Sequence, residues 1–173
     1  LPVQFIQNTR EWGLAKDEYT DNGNFPRQVY VREGRRFEGL YFFTAHDALP
    51  TNIGSRPPIH QQSITASHYA LDSHAVRKRE EERIHLDGFL SYPTAVYTVP
   101  FGVMVPKSID NLLLPVPVSG SHIGFSTLRM EPCWMAIGQA AGITASLSIQ
   151  DKVKVQNIDI SKLQDILINQ NAT

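Results

Sequence analysis

The sequence predicts a mixed α/β or α+β fold, and three observations carry that reading. Short runs of β-branched and aromatic residues, separated by turn signals, fill the first two thirds. A compact apolar run, "LLLPVPV" at 112–118, has the composition of a strand buried on both faces. A small polar stretch and then a long helix follow it, so the C-terminal third reads strand–loop–helix, an order that builds α/β ligand sites. No clean doubly wound unit and no internal repeat is present.

Taken in order, residues 1–28 are polar and irregular, with Phe5, Trp12, Tyr19 and Phe25 among them and a turn at Asp21-Asn22-Gly23-Asn24. "QVYVREGRRFEGLYFFT" (28–44) reads as two strands joined at Glu33-Gly34. Pro50, Gly54, Pro57 and Pro58 mark 45–63 as a long loop. An extended segment and a turn are expected over 63–76, and "RKREEERIHL" (77–86) is a charged, solvated surface segment. "AVYTVPFGVMVP" (95–106) is a strand interrupted by prolines, which suits an edge or a bend. The last helix is signalled by Ser161 and Gln164 as a capping box, with Leu163, Ile166 and Leu167 on its apolar face.

The bulk properties exclude several classes. A chain of 173 residues, 42% hydrophobic and 19% charged, has the composition of a folded domain with a real core rather than a disordered segment. A formal net charge of −1 gives no basic excess for nucleic acid or an anionic membrane surface. No apolar run reaches the roughly 18 residues of a membrane span. Cys133 is the single cysteine, which rules out an internal disulfide and favours a cytoplasmic setting. The six histidines show no HxH or HxxxH spacing, so no metal site is expected. The opening Leu1-Pro2-Val3 suggests that an N-terminal part precedes this sequence.

The informative stretch is 118–146. Pro132 suits the first turn of a helix, where its missing N–H costs nothing. The helix start carries unpaired N–H groups and partial positive charge. Ser119, Gly120 and Ser121 before it permit close approach of a backbone or a ligand, making a candidate site for an anionic or electron-rich group. Gly138 and Gly142, with Ala141 and Ala145, leave one helical face nearly bare. Spacing alone leaves two readings open: tight helix-on-sheet packing, or a surface for a close neighbour.

The stretch "NLLLPVPVSGSHIGFSTLRMEPCWMAIGQAAGITASL" resembles, without a gap, the C-terminal part of the FAD-dependent oxidoreductase family often labelled xanthan-lyase-like. The family's pattern there is NLLxPVxxSATHxAxxSxRMEPxxMxxGQxAGxAA. "REWGLAKDEYTDNGNFPRQVYVREGRRFEGLYFFT" and "YALDSHAVRK" are similar to earlier pieces of the same family, so the resemblance covers most of positions 10–150. Gly120-Ser121 replaces the usual Ala-Thr before the histidine, and Phe101-Gly102-Val103 replaces Tyr-Arg-Ser, which puts a substrate or flavin contact in doubt.

The resemblance implies the C-terminal portion of a two-domain, glutathione-reductase-like FAD fold. Residues 1–94 would form a β-rich substrate-side segment and 95–173 part of the FAD-binding domain. No GxGxxG for the ADP pyrophosphate occurs in the chain, so an N-terminal nucleotide-binding half is the implied partner, beside a small-molecule substrate and, as a further expectation, a second copy of the chain. The helix from 131 to 149 would point its N-terminus at the flavin ring, with Ser119, Gly120, Ser121, Met130, Glu131, Pro132 and Gly138 on the cofactor. His122 and Arg129 are the implied catalytic pair. His122 would be a general acid or base, and Arg129 an oxygen ligand or one half of a structural ion pair, with Glu131 as a partner. Arg32, Arg35, Arg36 and His74 are substrate-side candidates, the arginines as a carboxylate clamp or as a solvated turn. Asp72-Ser73-His74 is not expected to form a hydrolytic triad, because neighbours in sequence do not converge. The contrasting reading is a stand-alone ligand-binding or structural domain that no longer binds FAD.

Overall fold

The structure, a computed structural model, describes residues 2–27, 32, 34–52, 54–74 and 89–172. It divides into two compact units, Leu1–Val31 and Arg32–Thr173. The first contains helix α1 (Val3–Arg10), which buries none of its residues. Local bonds hold it: Thr9 Oγ1 donates to Phe5 O at 2.7 Å and Gln4 Nε2 to Asn8 Oδ1 at 3.1 Å. The sequence reading had this segment as irregular. The turn read at 21–24 is present, with Gly23 and Asn24 both in the left-handed region and the Asn24 amide donating to Lys16 O and Glu18 O.

The second unit carries the core. Its described elements are α2 (Ala45–Ala48), β1 (Ser63–Ser67), β2 (Leu71–Ser73), β3 (Leu90–Tyr92), β4 (Tyr97–Pro100), α3 (His122–Leu128), α4 (Glu131–Asp151) and α5 (Ile160–Asn169). β1 pairs antiparallel with β4, and β2 antiparallel with β3, as separate two-stranded ladders. This is a mixed α and β architecture in which helices outweigh sheet.

Several elements differ from the reading, each for a definable reason. Residues 34–44 form no strand. Gly39 bridges to Pro106 antiparallel and Phe43 bridges to Gly120 in parallel, so two partners divide the segment and neither ladder extends. The first half of the expected hairpin, 28–31, and the charged run 77–86 lie outside the described residues. "LLLPVPV" is not a strand buried on both faces. Leu112, Leu113 and Leu114 are only partly covered and Val116 is exposed, while Pro115 and Pro117 each remove a ladder donor. The loop at 45–63 begins instead with α2, where the Asp47 carboxylate accepts from the Thr44 N–H at 2.7 Å and from Thr44 Oγ1 at 3.0 Å. Asp47 also accepts from the Tyr41 hydroxyl, and burial together with that bond pushes the Tyr41 phenol well above its ordinary range. At α5 the cap is Asp159, whose Oδ1 accepts from Ser161 N and Lys162 N; Gln164 turns away and donates to Gln61 O and Ser63 O. Its apolar face is as read, with Leu163 and Leu167 buried.

β4 begins at Tyr97 and ends at Pro100, where a 3-10 turn over Phe101–Met104 carries four consecutive buried residues into the core. α4 packs Cys133, Ile137, Ala140, Ala141, Thr144 and Leu147 inward, the 3.6-residue stripe of a core helix. Its other side is apolar too. Met135 and Ile149 are 73% and 77% exposed, and a Cβ added at Gly138 or Gly142 would meet nothing within 4 Å. α3 shows the opposite glycine. A Cβ at Gly124 would lie 2.6 Å from Phe43 O and 2.8 Å from the Thr44 Cα.

Two glycine substitutions therefore have opposite signs. Gly124→Ala forces backbone apart and costs about 1–3 kcal/mol. Gly138→Ala adds only helix propensity and gains up to about 1 kcal/mol. Urea denaturation midpoints decide the matter; a Gly124→Ala protein as stable as the parent contradicts the packing described.

Candidate functional site

The small polar stretch "SGSHIGFSTL", 119–128, holds helix α3. Its N-cap is Ser121, whose Oγ accepts from Gly124 N at 2.9 Å. The preceding residues are fixed by backbone: Phe43 N donates to Ser119 O at 3.2 Å and Ser121 N to Phe43 O at 2.8 Å. A Cβ on Gly120 would stand 2.8 Å from Phe43 O. The close approach foreseen at Ser119-Gly120-Ser121 is thus made by the chain's own Phe43. Ser119 is fully buried, and its Oγ has no hydrogen-bond partner among the described residues.

α3 and its C-cap present His122, Ser126 and Arg129 at i, i+4 and i+7, one helical face, and each of the three bonds to the segment 72–74. His122 Nε2 donates to His74 O at 2.8 Å. Ser126 Oγ accepts from Asp72 N at 3.1 Å. Arg129, 4% exposed, donates from Nη2 to Asp72 O at 3.0 Å and to Asp72 Oδ2 at 2.6 Å. This is the ion pair of Arg129: its carboxylate comes from β2, across the fold, rather than from Glu131 two residues along. The stripe was visible in the sequence as His-x3-Ser-x2-Arg, but it gains meaning only once 122–128 is known to be helical.

Asp72 and His74 do meet, with His74 Nε2 3.3 Å from Asp72 Oδ2. The same nitrogen lies 2.7 Å from Arg32 Nη1. A bare Nε2 accepts from arginine, whereas a protonated one donates to the carboxylate, so the two contacts exclude each other. The shorter Arg32 contact makes Nε2 the acceptor. Ser73 does not join the pair as a nucleophile, since it is buried on the alternate side of the strand.

Arg36 donates through Nε to Gly120 O at 3.1 Å and through Nη1 to Gly34 O at 3.0 Å, and its guanidinium carbon lies 5.2 Å from the centre of the Phe125 ring. Arg35, exposed, stands beside it. With Phe42, Ser121 and His122 they line an open cleft of about 650 Å³. Arg35, Arg36 and His122 thus share one cleft, while Arg32 and His74 meet each other beside Asp72.

A second cleft, of about 380 Å³, opens at the start of α4, lined by Ser67, His68, Tyr69, Met130, Pro132 and Cys133. Met130 is the N-cap and gives no side-chain hydrogen bond to the first-turn amides, Pro132 has none to satisfy, and Glu131 is exposed. The uncapped helix start therefore faces open space with its amide groups unclaimed by a cap. Gly138, two turns along, is on the outer side of α4. Beneath this cleft Cys133 and Tyr97 are buried. Burial pushes the thiol up to about 11 and the phenol up to about 12, opposed by hydrogen bonds to Ser67 on both groups and to Thr127 on Tyr97. Cys133 is therefore a thiol, not a nucleophilic thiolate, at neutral pH.

The sequence profile described as FAD dependent oxidoreductase matches residues 2–167 of the chain. The chain belongs to this family. Its cofactor is FAD. No curated protein and no solved structure matches the chain. In this oxidoreductase no described helix is long and apolar enough to cross a membrane. The unclaimed amides at α4 and the cleft beside them fit the carbonyl-rich ring end of FAD. The sequence contains no GxGxxG turn of the kind that holds an ADP pyrophosphate.

Two outcomes follow. Asp72→Ala removes the carboxylate bonded to a buried guanidinium and costs about 3–5 kcal/mol. Arg129→Met costs less, because the Asp72 side chain it strands is 19% exposed against 3% for Arg129; equal losses in denaturant midpoint would overturn that ranking. Separately, the folded state keeps protons on Cys133 and Tyr97 that the unfolded chain releases from ordinary values of 9.0 and 10.0. Their stabilisation is complete below pH 9 and is lost as pH climbs through about 11 and 12. The urea midpoint should fall between pH 8 and pH 10.5 by an amount equivalent to about 1 kcal/mol or more; a constant midpoint contradicts it.

Proposed function

We propose that the chain forms the ring-side part of an FAD oxidoreductase of the xanthan-lyase-like kind, with the first turn of α4 directed at the isoalloxazine. The observation that carries this reading is the uncapped α4 start beside an open cleft, in a chain of the FAD-dependent oxidoreductase family. FAD, when bound, accepts or gives a hydride or an electron pair.

The chain's own residues supply the rest. Backbone N–H groups after Met130 hold the ring and favour negative charge on it. Ser119, Gly120 and Ser121 set the position of α3 beneath it. His122 exchanges a proton with the substrate. Arg129, buried, acts as a positioning residue, locking the end of α3, and therefore the α4 start two residues on, to β2 through Asp72. Residues 1–94 lie on the substrate side and 95–173 on the FAD side. The ADP half of the cofactor belongs to a nucleotide-binding unit carrying GxGxxG. The outer face of α4, with Gly138 and Gly142 open and Met135 and Ile149 bare, is where that unit packs.

The test is a pair of proteins mixed with FAD and then desalted. The 173-residue chain is expected to lose the flavin visible band. The chain extended by a GxGxxG unit encoded upstream is expected to keep it. Retention by the short chain sinks the division of the site, and loss from the extended one sinks the flavin assignment.

A further inference from the structure

We infer that the cleft in front of His122 takes an uncharged alcohol carried on a flat apolar ring, an arylmethanol in class, with the ring against Phe42 and the hydroxyl between Ser121 and His122; this names the substrate class of the FAD site proposed above and rests on that reading.

The charged groups around the opening are already committed. Arg36 gives Nε to Gly120 O and Nη1 to Gly34 O, its guanidinium carbon lies 5.2 Å from the centre of the Phe125 ring, and it is engaged further besides, so it builds the wall rather than binding a ligand. Glu38 is held by Lys107 at 2.6 Å. Arg35 is exposed at the rim, where water screens its charge. An ionised ligand would trade its hydration for that one screened cation, a weak exchange.

The apolar side follows from the backbone. Phe43 bridges to Gly120 and turns its ring inward onto Tyr97. Neighbours along an extended chain point to opposite sides. Phe42 therefore turns outward; it is 52% exposed and lines the cleft with Phe37. The same bridge brings Ser121 and His122 alongside it. A ring face in that position is covered best by another flat ring.

The hydroxyl end follows from a tautomer. A backbone carbonyl only accepts, so the His122 Nε2 bonded to His74 O at 2.8 Å must carry the hydrogen. In neutral His122 the lone pair is then on Nδ1, which has no hydrogen-bond partner among the described residues. Ser121 Oγ accepts from Gly124 N, and no described residue takes its own hydrogen. One donor and one acceptor thus stand on consecutive residues, the pair that a single alcohol satisfies: its oxygen accepts from Ser121 and its hydrogen goes to Nδ1. A sugar would bring several hydroxyls and leave most of them unmatched. The hydrogen given to Nδ1 is the proton that His122 exchanges in the function proposed above.

Binding is tested without turnover, by following the imidazole ¹⁵N resonances of His122 and the amides of Ser121 and Gly124 in the 173-residue chain. Benzyl alcohol should shift them saturably, and more tightly than benzyl methyl ether, ethanol, lactate or methyl glucoside. Phe42→Ala, at an exposed position that leaves the fold alone, should weaken benzyl alcohol roughly fivefold, the loss of one aromatic contact. Phe42→Trp, which keeps a ring face, should bind more tightly than Phe42→Ala; no difference between them removes the ring contact. The ether binding as tightly removes the hydroxyl donated to Nδ1. Ethanol binding as tightly removes the ring, lactate the uncharged ligand, and methyl glucoside the single hydroxyl. No saturable shift overturns the proposal whole. Benzyl alcohol binding in an extended protein that never retains FAD would leave this site standing and refute the flavin reading; FAD retained with no benzyl alcohol response does the reverse.

Discussion

The peptide group of Phe43 is the fixed point of the structure. Its N–H and C=O bond to Ser119 and Ser121 on either side of Gly120, and its side chain is fully buried against Tyr97. Gly120 and Gly124 are glycines because that carbonyl passes where their Cβ atoms would be. With the junction made, α3 starts at a defined place. The rest follows by helical period: His122, Ser126 and Arg129 meet the 72–74 segment, and Phe125 lies under Arg36. α4 then begins after a two-residue joint, so its direction is inherited from the same contact.

The long elements were legible in the sequence because their signals are local. Glu131-Pro132 announces the start of α4, and the extent read, 131–149, falls two residues short of its end at Asp151. Leu163 and Leu167 declared the inner face of α5. What was not legible depends on partners remote in sequence. "RFEGLYFFT" has strand composition, yet Gly39 and Phe43 bridge to positions 106 and 120, and no propensity records that division. "LLLPVPV" was judged by its leucines and valines, whereas its two prolines decided the outcome. α3 was missed because three of its seven residues, Gly124, Ser126 and Thr127, are weak helix formers, and its contacts with β2 and α2 lie far off in sequence.

The candidate site shows the same divide. The family resemblance pointed to His122, Arg129 and the α4 start, and the structure brings His122 together with Arg35 and Arg36. It could not show that Arg129 is turned inward to Asp72. Nor could it separate the first-turn amides of α4 from the cleft at His122, two openings joined through one short helix. α4 offers backbone dipoles and the His122 cleft offers side-chain groups, and the proposed function assigns the first to the cofactor and the second to the substrate.

The hold on His122 comes from the main chain of residue 74, not from its imidazole. The carbonyl would be there with any side chain, so the bond from His122 does not depend on the residue at 74, whose imidazole makes its own contacts with Arg32 and Asp72. What selection must preserve is the path of the backbone from Leu71 to His74, which Ser126 and Arg129 pin from the other side. The feature that holds this corner is a backbone conformation, and the side chains that keep it stand at 72, 126 and 129.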